Sequence, residues 1–395
     1  MKTLPFLILM SLVVACNSGT GVEIENKHQG NLKAAKTLQV VGNKKFPLDS
    51  LSAPRPPYIQ LYTDPQGKEF LAMLSAYSQN ISIYEYDSSS APVSRISVNQ
   101  VQIPLAFHIK NMDSIFVYDD KLMEMVLLDN KFDIVSKVSL INNENIKDLS
   151  WTFKYPQYVP HTVNEMLERE GKLIFPGQYI WTLPDSLTRK FKFASVIDMD
   201  HSNVKYIHKY PYELYGHNYM WDEPMFTTAY YDMMPGNNRL VYSFPVSHDL
   251  FIYDLDADSV KAVYGGSNFA ASIRSMDRAE FKQSKIPQEY IYQTACTTDL
   301  YGGIIYDKYR DVYYRFIRKA LPGKGVRLRW ENKPVAVVIM DKEFNYLGET
   351  EIGNMNEYYP DNAFVTREGL NIEYVDPADV EEKFLWFKIF SPKDI

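Results

Sequence analysis

The side chains of this chain best suited to holding a ligand are Arg239, His248, Tyr314, Arg315, His217 and Trp221. An arginine offers a planar fork for carboxylate or phosphate, and Trp and Tyr offer faces for stacking on a sugar or a peptide. Arg239 opens an apolar run that ends at Phe244, and His248 lies in the turn beyond it. Tyr314 and Arg315 lie in a second run, and His217 and Trp221 in the loop ahead of the first. At least three of the six are expected to line one solvent-connected cavity. The competing reading for each is a pairing with an Asp at the end of a strand.

No catalytic set accompanies them. The seven His show neither an HExxH helix nor a paired zinc spacing, and the chain has no G-x-S-x-G elbow, P-loop or dinucleotide fingerprint. His161, His217 and His248, in loops beside aromatics, are the better placed of the His. Asp254-Leu255-Asp256-Ala257-Asp258 opens like a calcium loop, but Ser259 and Gly265 stand where an EF-hand needs Gly and Glu. Cys296 reads as a buried small hydrophobe. No catalytic residue, metal or cofactor is therefore assigned. A glycosidase-like carboxylate pair stays open, because only separation in space defines one.

The elements that must position these residues are strands. The chain is 46% hydrophobic and 23% charged, which is ordinary for a globular protein. Its 30 Tyr, 14% aromatic content and only 18 Gly favour β-structure. With 42 Lys+Arg against 49 Asp+Glu, the net charge of -7 argues against nucleic acid as a partner. Alternating apolar runs bounded by turn residues recur at 80–86, 114–118, 123–128, 239–244, 249–253 and 335–340. One hairpin appears twice. Val126-Leu127-Leu128-Asp129-Asn130-Lys131-Phe132-Asp133 aligns with Val338-Ile339-Met340-Asp341-Lys342-Glu343-Phe344-Asn345, so a strand-end Asp accepts turn N–H groups and Asx tolerates left-handed backbone.

Counting such hairpins gives units near 68–100, 112–141, 171–209, 237–265, 302–352 and 362–391. The fold expected is all-β, a six-bladed β-propeller, with seven blades as the alternative and short helical insertions at 161–169 and 270–283 covering one mouth. The last unit supplies three strands, and Thr37–Val41 is the spare strand that would close the ring. Tyr301 to Phe316 reads as two strands around the turn Asp307–Asp311. Its alternating Tyr and Arg either build a cation–π surface or pack neighbouring blades; the packing reading is preferred, because blades need bulk between them.

The N-terminus carries an address. Lys2 precedes an apolar run, Leu4 to Ala15, that is shorter than the roughly 20 residues a membrane-spanning helix needs. Val13-Val14-Ala15-Cys16 resembles the bacterial lipobox, which implies cleavage after residue 15 and acylation (palmitate-type) of Cys16. Residues 16–35 are then a lipidated tether and 36–395 one propeller domain. The lipobox, the segment Asn238-Arg239-Leu240-Val241-Tyr242-Ser243-Phe244 with His248 and Ile252-Tyr253-Asp254, and the Tyr-Gly-Gly…Tyr-Asp…Arg-Asp…Tyr-Tyr-Arg string resemble a family of Bacteroidota lipoproteins of unknown function, TolB-like and six-bladed.

That resemblance implies fold and location and assigns no activity. Surface-exported members commonly carry acidic residues after the lipidated Cys, whereas Asn17-Ser18-Gly19-Thr20 is neutral. The expected place is thus the periplasmic face of the outer membrane, with the cell surface as alternative. The expected role is a membrane-anchored binding or scaffolding module for a protein, peptide or glycan. A hydrolase or lyase acting on a glycan or lactone is the alternative.

Overall fold

The computed structural model describes residues 22–395, apart from 182, 218, 222, 237, 258, 277–285 and 324–327. Cys16 and the apolar run before it lie outside the described residues. The fold is all-β and propeller-like. Four antiparallel sheets of four strands follow one another, spanning Ile59–Ser97, Pro104–Ser139, Leu167–Lys209 and Tyr230–Tyr264. An eight-stranded sheet follows. One half runs from Leu300–Asp307 to Tyr346–Asn354; the other joins Tyr358–Val365, Leu370–Tyr374 and Phe384–Asp394 to the early strand Lys36–Pro47. The long third and fifth units add no further strand to their sheets among the described residues.

The strand expected at Thr37–Val41 does close the ring. Lys36–Pro47 pairs antiparallel with Phe384–Asp394 along its whole length, and touches the neighbouring unit through one parallel pair, Lys36 with Gly348. Residues 22–35, expected as part of a flexible tether, are instead tied down. Glu23–Ile24 pairs with Ile273–Arg274, Asn26 donates to the carbonyls of Ser267 and Ala270 at 2.8 Å each, and Asn268 bonds both backbone groups of Leu32.

The repeated hairpin is built as its sequence requires. Asp129 accepts from the N–H groups of Lys131 and Asp133 (2.9 and 3.0 Å), and Asp341 from those of Glu343 and Asn345 (2.9 and 2.8 Å). The left-handed residue is the Phe and not the Asx: Phe132 and Phe344 both have φ of +66°. Phe344 is buried against Tyr313, with ring centroids 4.7 Å apart, so packing holds a conformation that a bulky residue otherwise avoids.

Antiparallel order gives the ring two unlike faces. Each unit runs from an inner strand outward, so first-to-second and third-to-fourth turns share one face, the turn face. The connections between units, and those between second and third strands, share the other. The long segments 140–166, 177–191, 210–229, 265–299 and 319–333 all lie on that insertion face. The helix expected at 161–169 is not there. Thr162–Asn164 is a single 3-10 turn, and Leu167–Arg169 is the next inner strand, because Val163, Met166 and Leu167 bury in three different hydrophobic clusters. Of the helix expected at 270–283, Ile273–Arg274 is a strand and 277–285 lie outside the described residues. The longest helix among the described residues on this face is Gln288–Thr297, where Cys296 is indeed fully buried.

Candidate functional site

The turn Thr162–Asn164 occupies the axis of the ring. It touches the inner strands Tyr230–Met233, Leu300–Asp307 and Tyr358–Val365. The Thr162 hydroxyl donates to Asn362 (2.5 Å) and accepts the N–H of Ile59 (3.0 Å). Val163 packs on the Tyr301-Gly302-Gly303 stretch, where a Cβ on Gly303 would stand 2.8 Å from the Val163 Cβ. The double glycine of that motif thus makes room for an axial plug, which divides the channel into two ends of different chemistry.

At the turn face the plug leaves an open recess of about 240 Å³, lined by side chains from the first sheet, the plug segment, the fourth sheet and both halves of the large one. Its ionisable groups are Glu165, Asp232, Lys308 and Glu69. Glu165 is the residue just beyond the plug. The Tyr231 hydroxyl fixes it by donating to the carbonyls of Asn164 (3.2 Å) and Glu165, and the Met166 N–H donates to the Tyr58 hydroxyl (2.9 Å).

The Glu165 side chain is exposed to the water of the recess, with the lining segments crowded about its carboxyl. Enclosure pushes its pKa up to about 8, the Asp232 charge adds to that, and Lys308 opposes it. Asp232 is raised to about 7, again by enclosure, although the N–H groups of Tyr306 and Met233 (2.6 Å each) stabilise its ionised form. Two carboxyls thus titrate near neutrality in one recess, where one can hold a proton while the other is charged. No group of three His, Cys, Asp or Glu side chains among the described residues is arranged to hold a metal ion.

Behind the plug, toward the insertion face, the axis is filled by a bonded network. Arg318 donates to Asp361 (2.6 Å) and to the Tyr230 hydroxyl (3.3 Å), with the His161 ring stacked on Tyr230 at 6.4 Å. Burial works against the Asp361 carboxylate, and Arg318 more than offsets it, leaving its pKa below the usual range. Asn362 bonds Glu373 (2.7 Å), which Arg55 reaches at 3.3 Å. This end is a seal; the turn face holds the accessible chemistry.

The six residues expected from sequence do not converge. Arg315 is fully buried and serves as a scaffold cation. It donates to the Ser243 hydroxyl (2.8 Å) and to the carbonyls of Ser247 (2.8 Å), Gly265 (2.9 Å), His248 (3.0 Å) and Phe244 (3.4 Å), while lying 3.8 Å over the Tyr301 ring. Desolvation lowers its pKa to about 10, against the pull of Tyr301 and Asp249. His248 joins it, its Nδ1 2.9 Å from the Tyr301 hydroxyl and its pKa depressed by burial to about 4.

Tyr314 donates to Asp307 (3.0 Å) and is buried, which is the strand-end pairing anticipated as the alternative. The Trp221 indole donates to the Leu214 carbonyl (2.9 Å) inside the core. Arg239 and His217 are exposed, one at the start of a strand on the turn face, the other in an insertion. Only His248 and Arg315 meet, in a buried packing cluster. The Tyr–Arg string packs blades, as preferred from sequence. Residues 165, 232 and 308 went unnoticed because nothing local marks them: their spacing becomes proximity only when the ring closes.

Comparison with known proteins matches the fold. A family profile described as a domain of unknown function (DUF4221) covers residues 37–351. The crystal structure of a DUF4221 member from Bacteroides vulgatus superimposes with a TM-score of 0.72 at 18% identity, over 91% of this chain and 99% of that one. A Bacteroides fragilis protein gives 0.52 at 11% identity, over 90% and 95%. A virginiamycin B lyase from Staphylococcus aureus gives 0.43 at 10%, over 88% and 99%. No curated protein matches the chain.

Proposed function

This chain belongs to the DUF4221 family, whose function is unknown, and from the axial geometry we propose that it is a binding module of the cell envelope. It would be held to the outer membrane by acylated Cys16, on the periplasmic side, with the recess on the turn face as its ligand site. The eight-stranded sheet is best counted as two blades meeting at Lys36 and Gly348, which makes the ring a six-bladed, TolB-like propeller.

One observation carries the binding reading: a solvent-open recess on the axis, where the plug segment, the fourth sheet and the large sheet bring Glu165, Asp232 and Lys308 together. At about 240 Å³ it falls below the range for a whole drug-sized ligand. It suits one sugar ring or one side chain of a peptide, with the rest of the ligand on the rim. The test is a glycan array and a short-peptide library probed with the chain and with Ile305→Trp, which fills the recess. Binding by the first and at least tenfold weaker binding by the second supports the reading; equal binding by both removes the recess from it.

The second reading, a hydrolase or lyase acting on a glycan or lactone, draws on the near-neutral carboxyl pair, a proton donor beside a carboxylate. Turnover of such substrates that is lost in both Glu165→Gln and Asp232→Asn would install it in place of simple binding.

A further inference from the structure

We propose that the insertion face lies against the lipid surface, so that the ring stands with its axial recess pointing away from the membrane. This rests on the lipid-anchor reading above and adds an orientation to it. The described residues begin on the insertion face: the N–H of Val22 donates to the Ser275 hydroxyl (2.8 Å), and the Ser275 N–H donates to the Val22 carbonyl (2.9 Å). Val22 packs on the core there, among segments 210–229 and 265–299. Val22 lies six Cα steps beyond Cys16, a reach of about 20 Å at full extension. An acyl chain on Cys16 is thereby confined to the neighbourhood of this face and cannot reach around to the turn face.

The surface chemistry agrees, independently of the tether. Exposed large apolar side chains of the described residues gather mostly in connections on the insertion face: Tyr77 (94%), Leu149 (60%), Phe153 (39%), Trp181 (51%), Tyr292 (39%) and Val380 (87%). They come from different connections around the ring, so they form a scattered crown of anchors and not one protein-sized patch. Trp and Tyr, apolar with one polar tip, prefer the headgroup region. Both signs of charge flank them, with Lys147, Lys154, Arg189 and Lys190 beside Glu144, Asp148, Asp185 and Glu382. A polybasic attraction to anionic lipid is therefore not the driving term, and the contact should respond weakly to salt.

The experiment places a fluorophore on single cysteines in the full acylated chain, bound to phosphatidylethanolamine–phosphatidylglycerol vesicles. Cys296 is buried and leaves the labelling clean. At Tyr77→Cys and Trp181→Cys the expected result is at least fivefold stronger quenching by spin-labelled lipid than at Lys308→Cys on the turn face, with little change between 50 and 300 mM salt. Equal quenching at the two faces, or stronger quenching at residue 308, overturns the orientation. Mass spectrometry of the same sample decides the anchor separately: an unmodified Cys16 defeats the anchor reading itself. Protection of residues 77 and 181 in intact cells but not in vesicles would assign the face to a protein and also overturn the proposal.

Discussion

Replacing Arg315 by Met removes a buried guanidinium while keeping most of the side-chain volume. The Ser243 hydroxyl still has the Gly302 carbonyl as its acceptor at 2.8 Å, but four backbone carbonyls lose a charged donor in a site closed to water. Stranding a buried acceptor costs about 1–3 kcal/mol, and the four share one donor, so their losses do not add in full. The gross cost is about 6 kcal/mol. Against it stands the relief of not burying a cation that no carboxylate bonds among the described residues, worth about 2 kcal/mol.

The net loss is about 4 kcal/mol. For a chain of 395 residues the unfolding entropy is about 0.8 kcal/mol per degree, so the melting temperature should fall by about 5 °C. Arg315→Lys should recover less than half, because an ammonium cannot present the fork. Arg239→Ala, at an exposed strand end, should shift the melt by less than about 1 °C. Differential scanning calorimetry of the three variants checks this. A melt for Arg315→Met within 1 °C of the parent would show that water satisfies those carbonyls and that the arginine is not structural.

Glu165 and Asp232 have folded pKa values near 8 and 7, above their unfolded ones, so the folded chain holds extra protons between about pH 4 and 8. Stability is therefore expected to fall as pH rises through that window, and denaturant titrations of Glu165→Gln with Asp232→Asn should show a flatter profile. A steeper profile in the double variant would contradict the assignment. Gly303→Ala should cost about 2 kcal/mol by pressing on the Cβ and Cγ2 of Val163, and the same substitution should cost less in a Val163→Gly background, where both atoms are gone; equal losses in the two backgrounds would mean that the residues do not meet. Phe344→Gly should cost about 3 kcal/mol, while Phe132→Gly, less enclosed at the same φ, should cost under about 1 kcal/mol, as read by urea midpoints.

Local chemistry explains what could be read along the chain. The Asp129 and Asp341 turns announce themselves because the interacting atoms are two to four residues apart, and the spare strand near residue 37 was visible as a deficit elsewhere. The segment 161–169 misleads for the same reason: its apolar spacing matches a helix, yet Val163, Met166 and Leu167 belong to three separate hydrophobic clusters. Arg315 shows the limit more sharply. Alternation told that it belongs to a strand but not which face turns inward, and an arginine that bonds carbonyls leaves no carboxylate partner to look for. Glu165, Asp232 and Lys308 meet only through ring geometry, and single acidic residues beside aromatic runs occur throughout this chain.

The closing strand has a consequence for how the protein comes into being. Lys36–Pro47 leaves the ribosome some 340 residues ahead of its partner Phe384–Asp394. Until that partner has been made this strand has no mate, and joining the two costs about 5 kcal/mol of chain entropy, offset in a single late event. An unpaired strand waiting that long is an invitation to pair with a neighbouring chain. The cell that makes this protein must therefore shield one short segment until its partner arrives, and a delay in delivering Phe384–Asp394 should surface as domain-swapped dimers before it surfaces as unfolded monomer.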